Sequence, residues 1–217
     1  MAPPRALVIV GAGGQGREML DAVEALNAAA PAPVWDVRGF LADDDRSADL
    51  VAARGASILG QVARLHEIDA DYLIGIGDPA VRRTVDELAR AAGRRPATLV
   101  HPSAQVGSQV VLGPGAYVAP GAVLTTNVVV GRHTIVNVGA SLSHDVVVGD
   151  FVTIGPGSRL AGSVRVGDDA DLGVGVVARP GASIGGATVV GAGAVVIGDL
   201  PPGIVAVGVP ARPLHTP

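Results

Sequence analysis

Between Val100 and Val196 the chain repeats every six residues without slipping register. The positions Val100, Val106, Leu112, Val118, Leu124, Val130, Val136, Leu142, Val148, Ile154, Leu160, Val166, Leu172, Ala178, Ile184, Val190 and Val196 are all large aliphatics except Ala178. Four residues after each of the first sixteen stands Ala, Val, Ser or Thr, as at Ala104, Val128, Thr134 and Ser158. Residues two apart in an extended strand share a face, so each small residue and the aliphatic two places later point to the same side. A glycine, or a small or polar residue, usually follows the aliphatic and is expected to let the chain turn there. A short strand and a tight turn every six residues make one side of a parallel β-helix with three sides per coil.

Coiling with that period also fixes which outward side chains stack. The residue before each inward aliphatic faces out, so Val111, Val129 and Val147 form an apolar ladder on one side. The second side carries Gln105, Val123, Ser141, Arg159 and Val177, and the third Tyr117, Ile135, Thr153, Asp171 and Val189. An exposed aliphatic stripe calls for a partner, which places the Val111/Val129/Val147 side in a subunit interface.

Composition narrows the chemistry. The 217 residues contain no cysteine, and all 16 basic residues are arginine. Disulfides, thiolate zinc sites, a cysteine nucleophile and a Schiff-base lysine are thereby excluded. A formal charge of −4 without a basic stripe speaks against nucleic acid or an anionic membrane as partner. Mean hydropathy is high at +0.44, yet Gly or Pro interrupts the stretch Val106–Gly131 every few residues, no run reaches about 18 apolar residues, and the run Ala6–Val10 is too short for a signal-peptide core. The expected location is the cytoplasm.

The first hundred residues have a different grammar. The apolar run Ala6–Val10 leads into Gly11-Ala12-Gly13-Gly14-Gln15-Gly16 and a helical stretch from about Gln15 to Ala28. This is G-x-G-x-x-G between strand and helix, where backbone N–H groups and the helix start can hold a phosphate. A second strand over Asp36–Leu41 ends in Asp43-Asp44-Asp45, placed to meet a ribose hydroxyl, and a third over Tyr72–Ile76 ends in Gly77-Asp78-Pro79 before a helix to about Ala92. Fewer than 100 residues supply about one βαβαβ half, which favours one nucleotide or nucleotide-sugar over NAD. Arg94-Arg95-Pro96 marks the expected boundary.

Of the five histidines, His66 and His215 read as surface residues and His101 as structural at the domain junction. His133 and His144 fall on turns of the coil. His144 stands in Ser143-His144-Asp145, just before the strand carrying the apolar ladder. The neighbouring carboxylate can fix its tautomer and raise its basicity, the tuning a general base needs.

The repeat [LIV]-G-x-x-[STAV]-x resembles the hexapeptide family, and that resemblance implies a left-handed coil and a trimer. With the segments GAGGQGRE, FLADDD, IGIGDP, HPSA, VNVGASLSHDVVVGD and VGVPAR, nearly the whole chain is similar to the sugar acetyltransferases related to sialic acid O-acetyltransferase and the bacillosamine-type N-acetyltransferases, nearest to those that act on GDP-perosamine. The implied architecture is an α/β half-Rossmann-like nucleotide-binding domain over residues 1–96, followed by an all-β left-handed parallel β-helix with a C-terminal cap over residues 97–217.

The same resemblance implies His144 as base, assisted by Asp145. It assigns Gly13, Gly14, Gln15, Asp43 and Gly77 to the nucleotide and Asn137 to the amino-sugar. Gly162 would donate its backbone N–H to the thioester oxygen of acetyl-CoA, with Val174 and Ala192 along the pantetheine. Thr153 stands where some relatives carry a second histidine near the cofactor, so that contact is lost or replaced. The implied partners are a nucleotide-sugar, acetyl-CoA and two further copies of the chain, with no metal.

Three function classes remain open on the residues themselves. Nucleotide-sugar N-acetylation, on a GDP- or UDP-linked amine, and O-acetylation of the sialic acid or serine type both need a base. A metal-dependent hydratase like the γ-class carbonic anhydrases would need three converging imidazoles, and His101, His133 and His144 occupy different places in their hexads.

Overall fold

The computed structural model describes residues 3–214, so His215 lies outside the described residues. The chain divides into two compact units, Met1–Pro102 and Ser103–Pro217. Among the described residues no helix is long and apolar enough to cross a membrane.

The first unit is a four-stranded parallel sheet flanked by helices. Its elements are β1 (Arg5–Val10), α1 (Gly14–Ala29), β2 (Trp35–Leu41), α2 (Ala48–Ala52), β3 (Ile58–Gly60), a 3-10 helix (Val62–Glu67), β4 (Asp71–Ile74) and α3 (Pro79–Ala91). The sheet order is β3-β2-β1-β4, with every pair parallel. Leu7, Val8, Ile9 and Val10 are wholly buried, as a strand covered on both faces requires. Val85 and Ala89, one helical turn apart on α3, join Val8, Val10, Leu41, Tyr72 and Ile74 in one apolar cluster.

Two differences from the sequence reading stand out here. The third expected strand ends at Ile74 instead of Ile76, because Gly75 donates to Val10 O (2.7 Å) and the chain then turns away. The sheet has a fourth strand, β3, which three residues ending in a positive-φ glycine do not announce. His66, expected at the surface, is exposed and closes the last turn of the 3-10 helix through Nδ1 to Ala63 O (2.7 Å).

The second unit is a left-handed parallel β-helix. Two-residue strands stack in register one coil apart. On one side Val111 pairs with Val129 and Val129 with Val147, continuing through Arg165 and Ser183. A second side stacks Gln105, Val123, Ser141, Arg159 and Val177. The third stacks Tyr117, Ile135, Thr153, Asp171 and Val189, and Val205–Val207 extends it before pairing antiparallel with Arg212–Pro213 as a cap. From Val118 to Val196 the inward positions, among them Leu124, Leu142, Ile154 and Leu160, are buried, whereas Val100 and Leu112 are half-buried and Val106, expected to face inward, is exposed because no earlier coil covers it. Tyr117 and Ile135 face outward by register yet are also buried.

The turns work differently from the expectation. From Val106 to Val190 the left-handed residue is the third after each inward position, and it need not be glycine: Gln109, Asn127, His133, Asp145, Phe151, Ser163, Asp169 and Ala187 all have φ between 48° and 62°. The glycine directly after the aliphatic serves close stacking instead. A Cβ on Gly131, for example, would lie 2.3 Å from Gly149 O on the next coil.

The small inward positions admit hydroxyls because the turn gives them partners. Thr134 Oγ1 donates to Gly149 O (2.7 Å) and accepts from Val152 N (3.0 Å), joining two backbone groups of the next coil. Thr134→Val keeps the shape and leaves both groups unpaired in the interior. We expect it to lower unfolding free energy by about 1–3 kcal/mol, read by chemical denaturation.

Candidate active site

In the first unit the strand order reverses between β1 and β4, and the crevice beyond the carboxyl ends of these strands is where open parallel sheets bind ligands. A cavity of about 680 Å³ lies there. Gly13, Gly14 and Gln15 after β1, Asp43 after β2 and Gly77 after β4 all line it, as do Arg46, Ser47 and Val62. All five residues assigned to the nucleotide from the sequence thus share one cavity.

The motif glycines divide into two kinds. A Cβ on Gly16 would lie 1.9 Å from Gly11 O, so Gly16 lets α1 pack against the turn that precedes it. A Cβ on Gly13, Gly14 or Gly77 would meet nothing within 4 Å. These three face open cavity, and sterics within the chain do not require glycine there. Helix α1 starts at that opening with Gly13 as N-cap, no side-chain cap and no acidic residue in its first turn, leaving backbone N–H groups available for an anion.

The turns are braced from behind. Arg17 Nη1 donates to Ala12 O (3.0 Å) and Ser47 Oγ (3.1 Å), tying the glycine turn to the start of α2. Asp43 Oδ1 accepts from Val62 N (2.9 Å), so this carboxylate also anchors the 3-10 helix. Arg82, wholly buried, donates to Ile76 O (3.0 Å) and Gly77 O (2.6 Å), holding the far rim. Arg82 escaped the sequence reading because an arginine on an amphipathic helix signals solvent, and the turn that it grips lies next to it only in the fold.

In the second unit, the turn from the Ser141–Leu142 strand to the Val147–Val148 strand carries His144 and Asp145 on an exposed corner. His144 Nδ1 lies 2.8 Å from Asp145 Oδ2. With Nδ1–H donating to the carboxylate, Nε2 keeps its lone pair for a proton. Asp145 Oδ1 accepts from Asn127 Nδ2 (3.2 Å), one coil earlier. The hydrogen bond from His144, and then that from Asn127, hold the Asp145 carboxyl below its usual range, so it is ionised at neutral pH.

The remaining site residues of this unit are spread over two corners and one side. Gly162 sits on the His144 corner, one coil on. Asn137, Val174 and Ala192 belong to the adjacent corner, between the third side and the Ser141 side, and Thr153 lies in a strand of the third side. Asn137 is buried, its Oδ1 accepting from Val138 N (2.8 Å). His133 occupies the remaining corner, buried and stacked on Phe151 with ring centroids 5.6 Å apart, so it does not converge with His144. His101 is half-buried in the last residues of the first unit.

Known proteins share this fold. The PglD N-terminal domain family matches residues 6–87. The structure of PerB from Caulobacter crescentus in complex with CoA and GDP-perosamine is 33% identical, covers 97% of each chain and superposes with a TM-score of 0.86. The chain belongs to this family of sugar N-acetyltransferases. The acetyltransferase domain of PglB from Neisseria gonorrhoeae, solved with acetyl coenzyme A, is 31% identical over 98% of this chain and 100% of that one, with a TM-score of 0.88. WeeI from Acinetobacter baumannii is 27% identical over 96% and 99% of the two chains, with a TM-score of 0.83. No curated protein matches. As a nucleotide-sugar N-acetyltransferase, the chain is an acetyl-CoA-dependent enzyme.

Proposed function

We propose that this N-acetyltransferase moves the acetyl group of acetyl-CoA to the 4-amino group of a nucleotide-linked 4-amino-4,6-dideoxysugar, GDP-perosamine, with His144 as general base. The observation that carries the assignment is the His144 Nδ1 contact with Asp145 on an exposed corner, which leaves Nε2 as a base. The nucleotide goes to the cavity of the first unit, residues 1–96 serving as its binding domain and residues 97–217 as the acyl-transfer domain. There, uncapped N–H groups of α1 suit a diphosphate and Asp43 suits a ribose hydroxyl. PerB, with CoA and GDP-perosamine bound, supports the choice of substrate.

Acetyl-CoA brings the acyl group as a thioester. Nε2 of His144 takes the proton that the amine nitrogen loses as the new C–N bond forms, and Asp145 stabilises the imidazolium. The thioester C–S bond breaks and the proton passes to the departing thiolate, so the step balances without a covalent enzyme intermediate. The backbone N–H of Gly162 is assigned to the developing oxyanion. Val174, 57% exposed, and Ala192, also exposed and one coil on, offer the apolar track that pantetheine needs.

His144 and Gly162 stand on one corner, Asn137, Val174 and Ala192 on the next. One acetyl-CoA reaching His144, Gly162, Val174 and Ala192, with the amino-sugar at Asn137, is best served by two copies meeting side to side, as in a homotrimer. Val111 and Val129, 58% and 37% exposed in one chain, supply the apolar surface for that contact. Val129→Asp is expected to turn a trimer into monomers in light scattering and to abolish turnover. A variant that stays trimeric and active would remove the ladder from the interface. The working enzyme is assigned to the cytoplasm.

The direct test offers acetyl-CoA with GDP-perosamine, a UDP-linked 4-amino sugar, sialic acid and serine, and follows acetylated product by mass. The highest kcat/KM on the GDP-linked amine is the expected result. Preference for the UDP-linked amine would reassign the base, and product only from the hydroxyl acceptors would overturn N-acetylation. In a parallel thermal-shift series, a nucleotide at 100 times its Kd stabilises the protein by about 2.7 kcal/mol, and a response to NAD in place of GDP would refute the single-nucleotide cavity.

A further inference from the structure

The corner that carries His144 also carries Asn127 one coil before Asp145 and Gly162 one coil after His144. The chemistry above gives Asn127 no part and Gly162 only its backbone N–H. Asn127 and Asp145 both occupy the left-handed turn position, with φ of 57° and 62°, so their side chains project from equivalent places on successive coils. Asn127 Nδ2 donates to Asp145 Oδ1 (3.2 Å), while Oδ2 of the same carboxylate faces His144 Nδ1 (2.8 Å). Each carboxylate oxygen is therefore held by a different residue. The carboxylate cannot rotate without giving up one bond, and its fixed plane selects the Nδ1–H tautomer of the imidazole.

On the opposite flank, a Cβ on Gly162 would lie 2.3 Å from His144 Cε1, 2.4 Å from Nε2 and 3.0 Å from Nδ1. These three nearest atoms all belong to the imidazole. Gly162 is not among the positive-φ residues, so its backbone conformation does not call for glycine. The ring itself occupies the volume that any side chain at 162 would fill.

We propose that Asn127 and Gly162 are positioning residues that together fix the seat and the tautomer of the His144 imidazole, an inference that rests on His144 being the base. Asn127 acts through Asp145, and Gly162 acts by having no side chain.

The experiment compares Asn127→Ala, Gly162→Ala and His144→Ala in the full chain. It uses steady-state kinetics in both substrates and the imidazole 15N resonances of His144 in ligand-free protein. Wild type should show the Nδ1–H tautomer. Asn127→Ala should mix the tautomers and lower kcat by about 10-fold, the low end of what losing an outer hydrogen-bond partner of a functional histidine costs, with KM for acetyl-CoA unchanged. Gly162→Ala should shift the imidazole resonances and lower kcat on the order of 10²-fold, as a misplacement near 1 Å does, without lowering the melting temperature.

Wild-type kcat and tautomer in both variants, with His144→Ala inactive, would overturn the positioning roles and leave the base in place. A raised KM for acetyl-CoA in Gly162→Ala with wild-type imidazole resonances would assign Gly162 to the coenzyme and overturn its role as a seat. Full turnover by His144→Ala would strike the base assignment instead, and the 15N spectra, which need no turnover, would still decide whether the two residues set the ring.

Discussion

His144→Ala is expected to lower kcat by about 10²–10⁴-fold while the dissociation constants for acetyl-CoA and the nucleotide stay near wild type. The side chain is exposed and its ring nitrogen meets Asp145, so its removal opens no cavity in the coil interior and leaves the melting temperature unchanged. The loss falls on the proton transfer. An amine attacking a thioester must shed a proton as it bonds, and without Nε2 only water can accept it. Raising the pH supplies more free amine and should recover part of the lost rate, a rescue that wild type does not need. Unchanged turnover at neutral pH would remove His144 from the chemistry.

The second large effect separates two glycines of one motif. Gly16→Ala drives a methyl to 1.9 Å from Gly11 O, a backbone atom that cannot swing aside, so α1 must back away from β1. We expect a loss of about 3 kcal/mol, near the top of the usual range for overpacking. For a unit of this size, that loss lowers the melting temperature by more than ~10 °C. Gly13→Ala meets nothing within 4 Å and stands at an extended N-cap with φ of −66°. Its stability cost should stay within about 1 kcal/mol. Its added methyl instead faces the cavity, so GDP affinity falls. Calorimetry and GDP titration on the two variants should give opposite pairs of results. Equal destabilisation would mean that both glycines serve packing.

The coil was legible because a large aliphatic recurs at every sixth residue from Val100 to Val196 with one exception, Ala178, and from Val118 onward each of these positions fills the interior. Stacking then followed by counting, and Val111, Val129 and Val147 do pair in register. What the turns require was less legible. A left-handed backbone is ordinarily glycine's territory, yet Phe151 and Ala187 adopt it because hydrogen bonds from the adjacent coils over-determine each turn. The count of eighteen could also have tied Asn127 to Asp145 and Gly162, already implied as a coenzyme residue, to His144, since each is one coil from the dyad, but nothing in their residue types announces a relation to a histidine. In the first unit β3 was invisible for a different reason: a three-residue strand joins the sheet through β2, and its own sequence carries no period.

The left-handed turn recurs once per hexad, and the backbone hydrogen bonds join residues of successive coils. The rod can therefore change length only in whole coils. Gaining eighteen residues beyond Ser183 would add a storey and leave the dyad untouched. Losing one residue there would exchange inside for outside in every storey that follows. Insertions and deletions within the part of the gene that encodes the coil are thus read modulo eighteen, a constraint on its evolution that no single side chain imposes.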